Sequence, residues 1–303
     1  MGRIVNFGSL CIDTVLSVPH LVAPGETLRA SGVVRLPGGK GLNQSLAAAR
    51  AGAPVVHVGR VGEDGADLIA LLADAGVDVA HIEVAPDAPT GHAMIQVAED
   101  GQNAIVILAG ANRGMPRALL TRTLDLLADG DWLLLQNETD WVPEAIAGAA
   151  ATPARVALNL APADAAARDW PLQGVDLFIL NETEATQLTG ELAPDAQLAA
   201  LAERAPAALV ALTFGGDGAL LAPGPDCGLL ADRIQVAAHP VAVVDTTGAG
   251  DAFVGALLAA LVEGAPCGQA LAQANAAGAL ACGRMGAAVA MPTRARIAAL
   301  LAS

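Results

Sequence analysis

The segment Val244-Asp-Thr-Thr-Gly-Ala-Gly-Asp-Ala-Phe253 constrains this chain most, because it brings a glycine-lined turn and a carboxylate to the start of an apolar helix. Phe253, Val254, Leu257, Leu258 and Leu261 follow at helical spacing, so Thr246 to Asp251 are predicted to form the loop and first turn. Gly248 and Gly250 carry no side chain that would keep an anion from their amides, and the helix dipole adds partial positive charge at the same point. Ala249 supplies a third amide. Asp251 would repel a phosphate held there unless it accepts a proton from an alcohol approaching that phosphate. The plainer reading is an Asp that favours a helix N-terminus.

Composition narrows the classes of function. With 303 residues, 54% of them hydrophobic, the chain can bury the core of one large α/β domain or of two small ones. No apolar run approaches the ~18 residues of a membrane span, and Met1 to Phe7 reads as a strand and not as a basic, apolar leader, so a cytoplasmic protein is expected. Cys11, Cys227, Cys267 and Cys282 are scattered without a Cys-x-x-Cys pair, which suits reduced thiols better than disulfides or zinc. A net charge of −15 disfavours nucleic acid and anionic lipid as partners. A phosphorylated ligand must then be held by locally arranged donors against a repulsive global field. Lys40, the only lysine, stands inside Gly38-Gly-Lys-Gly-Leu-Asn-Gln44; chance and composition bias are the competing explanation.

Strand-like runs alternate with Ala/Leu-rich helical stretches: Ile4–Phe7, Leu42–Ala51, Val55–Val58, Asp67–Ala75, Trp132–Leu135, Val156–Leu160, Leu177–Leu180 and Leu209–Thr213. That rhythm predicts an α/β fold with a mostly parallel central sheet covered by helices on both faces. Thr14–Pro37 and Thr90–Leu108 break it. Both are β-like without helical cover, and the second reads as a hairpin of His92–Ala98 and Ala104–Leu108 about a Glu99–Asn103 turn. As insertions into the α/β pattern, they are expected to pair into a small sheet that covers the active site as a lid. His92 is then expected on the lid surface.

The pattern G-x-x-x-x-G-K-[ST] is absent, since Gly41 follows Lys40, and no G-x-G-x-x-G follows the first strand. Instead, Gly38–Arg50 sets glycines at a helix start, where backbone, Lys40 and Asn43 can approach a polyhydroxylated ligand. Asp13, after the first strand and Gly8-Ser9, adds an acceptor for two hydroxyl hydrogen bonds.

In these stretches the chain resembles the ribokinase-like sugar kinases, the pfkB-type carbohydrate kinase family. The matching stretches are Gly38–Gln44, Asn159-Leu-Ala-Pro162 (where ribokinases read Asn-Pro-Ala-Pro), Asn181-Glu-Thr-Glu-Ala185 with Leu188-Thr-Gly190, Thr213-Phe-Gly-Gly-Asp-Gly218, and Asp245–Phe253. They stand in the family's order over essentially the whole chain, 1–303, as one domain. The resemblance implies ATP-dependent phosphorylation of a sugar hydroxyl, with Asp251 as base and the amides of Gly248, Ala249 and Gly250 around the transferring phosphoryl group. It implies sugar contacts from Cys11, Asp13, Gly39, Lys40, Gly41, Asn43 and Glu138. Asn181 and Glu184 match the element that organises Mg²⁺ and phosphates, through water, as befits a cation slow to dehydrate; a helix cap is their plainer use. Thr213, Phe214, Gly215, Gly216, Asp217, Gly218 and Asn275 match the nucleotide-binding edge. Asp245, Thr247, Ala281, Arg284, Gly286 and Ala290 match loops that bind K⁺ mainly through carbonyl oxygens. Exposed lid sheets in this family often pair between subunits, so a homodimer is expected.

One departure stands out. Where ribokinases place Asn two residues before the sugar-binding Asp, this chain has Cys11, and a thiol in place of that amide loses about 1 kcal/mol of hydrogen bonding to a sugar hydroxyl. A small apolar filler at a strand end is the plainer reading. The chain has no Tyr, and neither Thr14–Pro37 nor Thr90–Leu108 contains Phe or Trp. A nucleoside kinase is expected to stack its base on aromatic faces, so a small sugar, D-ribose first, is favoured. Same-fold kinases for 2-deoxyribose, a ketohexose or a nucleoside are the alternatives, and a non-catalytic sugar-binding protein the remote one.

Overall fold

A computed structural model describes residues 2–303. Its strands, in chain order, are β1 (Ile4–Phe7), β2 (Cys11–Val18), β3 (Gly32–Gly38), β4 (Val55–Gly62), β5 (Asp78–Ala85), β6 (Gly91–Ala98), β7 (Asn103–Leu108), β8 (Trp132–Gln136), β9 (Arg155–Asn159), β10 (Leu177–Asn181), β11 (Leu209–Thr213), β12 (Ala219–Pro223) and β13 (Ile234–Val236). Nine of them form one sheet in the order β13-β12-β11-β10-β9-β8-β1-β4-β5. The ladders from β11 through β5 are parallel, and only β12 and β13 run antiparallel at one edge.

A strand buried on both faces reads as a continuous apolar run, and β8 (WLLLQ) and β10 (LFILN) are of this kind. Residues alternate between two cores. Ile4, Trp132, Leu134, Leu177 and Ile179 face helices Lys40–Ala51, Ala249–Val262 and Cys267–Cys282. Val5, Phe7, Leu133, Leu135 and Phe178 face helices Arg117–Asp125, Val142–Ala149, Glu182–Thr189 and Pro194–Arg204. Helix Ala249–Val262 is buried from Asp251 through Ala260, which explains why its apolar pattern runs all round.

The two uncovered β segments meet in a separate four-stranded sheet, ordered β3-β2-β6-β7. β2 pairs in parallel with β6, and the flanking pairs β2·β3 and β6·β7 are antiparallel. The hairpin lies where the sequence put it. β2 starts at Cys11, three residues before the expected Thr14, because Cys11 and Asp13 continue the ladder opposite Gly38 and Leu36. Two of the candidate sugar contacts, Cys11 and Asp13, therefore stand on this small sheet. Among the described residues no helix is long and apolar enough to cross a membrane.

Candidate active site

Four neighbouring parallel strands end in a polar side chain: Gln136, Asn159, Asn181 and Thr213. The register pairs Gln136 with Asn159 and Asn181 with Thr213, so these groups line one edge of the sheet, outside the carboxyl ends where ligands of open α/β sheets bind. Helix Ala249–Val262 presents its N-terminus to the same edge.

Gly248 caps that helix in the left-handed region at φ 79°, a conformation that favours glycine. The Ala249 amide bends back to donate to Thr246 O at 3.2 Å, so of the expected anion cradle the Gly250 N–H, without an intrahelical acceptor in the first turn, is the more open donor. A Cβ placed on Gly250 would meet nothing within 4 Å. The space over this turn is therefore open to a ligand.

Asp251 follows in the first turn and is buried. Its Oδ2 accepts from Asn43 Nδ2 at 2.9 Å and its Oδ1 from Gln44 Nε2 at 2.8 Å. Burial pushes its carboxyl above the ordinary aspartate value; the Lys40 ammonium and the two amide donors pull the other way, and Glu138 adds to the rise. Burial likewise works against the Lys40 ammonium, yet Asp251, Glu138 and Glu184 hold its pKa above the usual lysine value. The only lysine is thus the local counter-charge of three carboxylates.

On the small-sheet side, Glu138 Oε2 accepts from Ser9 Oγ and, at 3.0 Å, from the Lys40 amide, which fixes the start of helix Lys40–Ala51. Gly41 donates to Ser9 Oγ at 3.1 Å and its carbonyl accepts from Asn6 Nδ2 at 2.8 Å, so both backbone groups that could have met a sugar serve the fold instead. Its place requires glycine, since a Cβ there would lie 2.3 Å from Ser9 N. Asn43 Oδ1 is buried without a partner, an acceptor left for a ligand hydroxyl. Asp13 is pushed up to about 6, by burial first and then by the neighbouring Glu138 and Asp251 carboxylates. Cys11 faces Asn112, whose Nδ2 lies 3.4 Å from Sγ, and burial beside Glu138 and Asp13 keeps the thiol protonated. Asn112, which no sequence motif marks, bonds both the N–H and the carbonyl of Leu10 and so anchors the start of β2.

Two cavities border the Gly250 turn. One, of about 230 Å³, is lined by Lys40, Asn159, Asn181, Glu184 and Asp251. The other, of about 530 Å³, is lined by the expected Thr213, Gly215, Gly216, Gly218 and Asn275, and also by His239 and Cys282. Thr213, Thr246, Gly250 and Phe253 belong to both. Phe214 instead packs its ring against the second core and Asp217 sits in an exposed turn, so neither lines the larger cavity. His239 and Cys282 lack a local motif, which is why the sequence did not mark them.

Asn181 and Glu184 close a capping box on helix Glu182–Thr189: Asn181 Oδ1 accepts from the Glu184 amide at 2.8 Å and Glu184 Oε2 from the Asn181 amide at 2.9 Å. The cap and a ligand role are compatible, because Glu184 Oε1 stays free beside the smaller cavity. Asp245 braces its loop: Oδ1 accepts from the Thr247 amide and hydroxyl, and Oδ2 from the Gly286 amide at 2.8 Å. Ala281 and Ala290 are buried, and the Asp245 amide donates to the carbonyl of Cys282, next to Ala281, at 3.2 Å; Arg284 is exposed and donates its amide to Ala281 O.

Residues 1–294 match the pfkB family of carbohydrate kinases. Ribokinase from Haemophilus influenzae is 35% identical over 295 residues, covering 95% of this chain and 94% of that protein. A deoxyribokinase from Salmonella typhi is 32% identical over 263 residues, 83% of either chain. The structure of Arabidopsis thaliana ribokinase complexed with ribose and ATP superposes with a TM-score of 0.87 at 31% identity, over 99% of both chains.

Proposed function

The chain belongs to the pfkB family of carbohydrate kinases and is an ATP-dependent carbohydrate kinase; we propose that it transfers the γ-phosphoryl group to the primary hydroxyl of a pentose, D-ribose giving ribose 5-phosphate. The observation that carries this reading is that the two cavities meet the same Gly250 turn, with Asp251 in the lining of the smaller one. ATP laid along the larger cavity would bring its terminal phosphate to the helix N-terminus, within reach of an alcohol held beside Asp251.

The pentose would sit between the small sheet and helix Lys40–Ala51. Asp13 and the unpartnered Asn43 Oδ1 accept hydrogen bonds from its hydroxyls, while Lys40 and the Gly39 backbone approach its far side. Asp251 accepts the proton of the primary hydroxyl as its oxygen bonds to the γ-phosphorus, and the bond to the β-phosphate oxygen breaks to release ADP. Lys40 and the Gly250 amide would offset charge on the transferring group. We read the whole chain as one domain in which the small sheet closes over the sugar as a lid, excluding water from the transfer.

Glu184, with one carboxylate oxygen free beside the smaller cavity, fits a Mg²⁺ held through water and phosphate oxygens. That ion would draw charge from the phosphates. Asp245 fits a K⁺ loop, since its Oδ2 accepts a single bond and the surrounding ligands would be carbonyl oxygens of Thr247, Ala281, Gly286 and Ala290. That ion would steady the anion-binding turn. We further propose a cytoplasmic homodimer paired through the small sheets, supported by β7, where every residue is exposed and Val106 and Ile107 are 69% and 66% accessible.

Cys11 favours a second reading, 2-deoxyribose, because a thiol already facing Asn112 offers little to a sugar hydroxyl. A coupled ADP-release screen over pentoses, 2-deoxyribose, ketohexoses and nucleosides decides between them. The highest kcat/KM is expected for D-ribose; a nucleoside or hexose ahead of both pentoses would overturn the proposal.

A further inference from the structure

Resting on the reading of Asp251 as the proton acceptor, we infer that Gln44 is a positioning residue for it, holding its carboxylate through a buried chain of amides in which Gln44, Gln136 and Asn6 line neither cavity. Gln44 is fully buried, and its Nε2 donates to Asp251 Oδ1 at 2.8 Å and to Asn159 Oδ1 at 2.8 Å. A carboxylate only accepts, so the amide nitrogen must face it. What prevents the amide from turning is Gln136 at the end of β8, whose Nε2 donates to Gln44 Oε1 at 2.8 Å and to Asn6 Oδ1 at 3.0 Å. Asn6 in turn donates to Gly41 O and Ser45 Oγ, and Ser45 Oγ lies 2.8 Å from His57 Nδ1.

Every link is set by the next. With Gln136 donating to Gln44 Oε1, both N–H groups of Gln44 are committed to Asp251 and Asn159, while Asn159 is itself fixed by donating to Ile179 O at 2.9 Å. The chain ends at His57, which burial drives down to about 4, so it is neutral near neutral pH. No charge is present at the far end. The network therefore transmits orientation, not protons, and its product is a carboxylate fixed in rotamer and supplied with a donor. Gln136 Oε1 and His57 Nε2 find no partner, but every amide donor of Asn6, Gln136 and Gln44 is paired, along a run from the first strand to the reacting group.

Charged groups face Asp251 from every side: Lys40 from the helix start, Glu138 after β8, Asp13 from β2 and Glu184 from helix Glu182–Thr189. Of these only Lys40 favours the ionised base. The donors from Asn43 and Gln44 complete that support, and losing one shifts the balance toward the protonated, inactive form.

The test replaces Gln44 by Met, which keeps its length and removes both donors, and reads the pH profile of kcat/KM in the full-length enzyme with the best sugar from the screen. The expected result is a fall in kcat of tenfold or more, about the loss of a well-placed base partner, with the sugar KM within about threefold. The acidic midpoint should move up by roughly one pH unit. A residue that only fills space would lower the folded fraction without moving that midpoint. An unmoved midpoint in a variant whose thermal melt shows it folded, whatever its kcat, overturns the inference. If Gln44→Met does not fold, Gln136→Met decides: it removes the group that orients Gln44, and should shift the midpoint in the same direction by less, an unshifted profile again overturning the inference. A wild-type enzyme that phosphorylates no sugar would instead count against the proposed function.

Discussion

Asn43 Nδ2 donates to Asp251 Oδ2 at 2.9 Å, joining residues 208 positions apart. The bond ties the first turn of helix Lys40–Ala51 to the first turn of helix Ala249–Val262, and both helix starts lie at the carboxyl edge of the sheet. Asn43 is committed through its nitrogen to the base and offers its oxygen to a ligand, so the group that would bind the sugar also steadies the group that would deprotonate it. The electrostatics follow from the same contact. Asp251 is raised by burial, but not left without donors, and Lys40 lies close enough to oppose the rise.

Replacing Asp251 by Asn is expected to lower kcat by about 10²–10⁴, the usual worth of a general base. Sugar and ATP binding should stay within a few-fold, since the amide keeps the shape. Steady-state kinetics beside calorimetric titration of each ligand separate the two effects. A variant retaining more than about a tenth of wild-type kcat would remove Asp251 from the role given to it.

The carboxyl of Asp13, pushed up to about 6, gives a pH dependence of a different kind. As a hydroxyl acceptor it must be ionised, so the sugar KM should climb as pH falls through about 6 while kcat keeps its own profile. The stability effect has the opposite sign. The folded form of this group binds its proton more tightly than the unfolded chain at 3.8, so between about 4 and 6 its contribution disfavours the fold progressively as pH rises. Bound sugar should reverse that loss by donating to the carboxylate. A sugar KM flat across this window, or unaltered by Asp13→Asn, would take Asp13 out of the pocket.

Much of this architecture is readable in the chain. Runs such as Trp132–Leu135 and Leu177–Leu180 can satisfy their apolar residues only between two helical layers, so they announce a parallel sheet. β5 and β13 escape notice because they stand at the two edges of the sheet, one half-exposed and the other only three residues long; β12 is buried, but its short Ala/Leu run fits a helical segment as well as a strand. The glycine-rich turns around Lys40 and Asp251 are legible because backbone approach demands glycine and charge demands a partner. Gln44, Gln136 and Asn6 are not, because a polar residue within an apolar element reads as an element end until the register brings its partners together. Cys11 is half legible: its position is visible, its contact with Asn112 is not.

β7 makes a prediction about assembly. Its six residues are all exposed, a strand of apolar side chains with a free edge, which costs apolar burial unless another surface covers it. Light scattering of the wild type should report a dimer, and Val106→Lys with Ile107→Glu a monomer. A wild type that stays monomeric at assay concentrations contradicts the proposed pairing.

The last prediction turns on Cys11. Its sulfur receives the Asn112 amide at 3.4 Å, a long contact to a weak acceptor, beside the carboxylates of Glu138 and Asp13. An Asn in its place can accept from Asn112 with its oxygen and turn its own nitrogen toward a sugar hydroxyl. Sites built to pair with a hydroxyl reject the analogue lacking it strongly, whereas a site without the partner discriminates weakly. Cys11→Asn should therefore raise the ratio of kcat/KM for ribose over 2-deoxyribose by roughly tenfold, about 1.4 kcal/mol. The gain should fall on ribose, since the deoxy sugar has nothing to offer the new amide. A ratio that stays level or drops in a folded variant would show that the side chain of residue 11 is turned wholly to Asn112, and that discrimination at this carbon is made elsewhere.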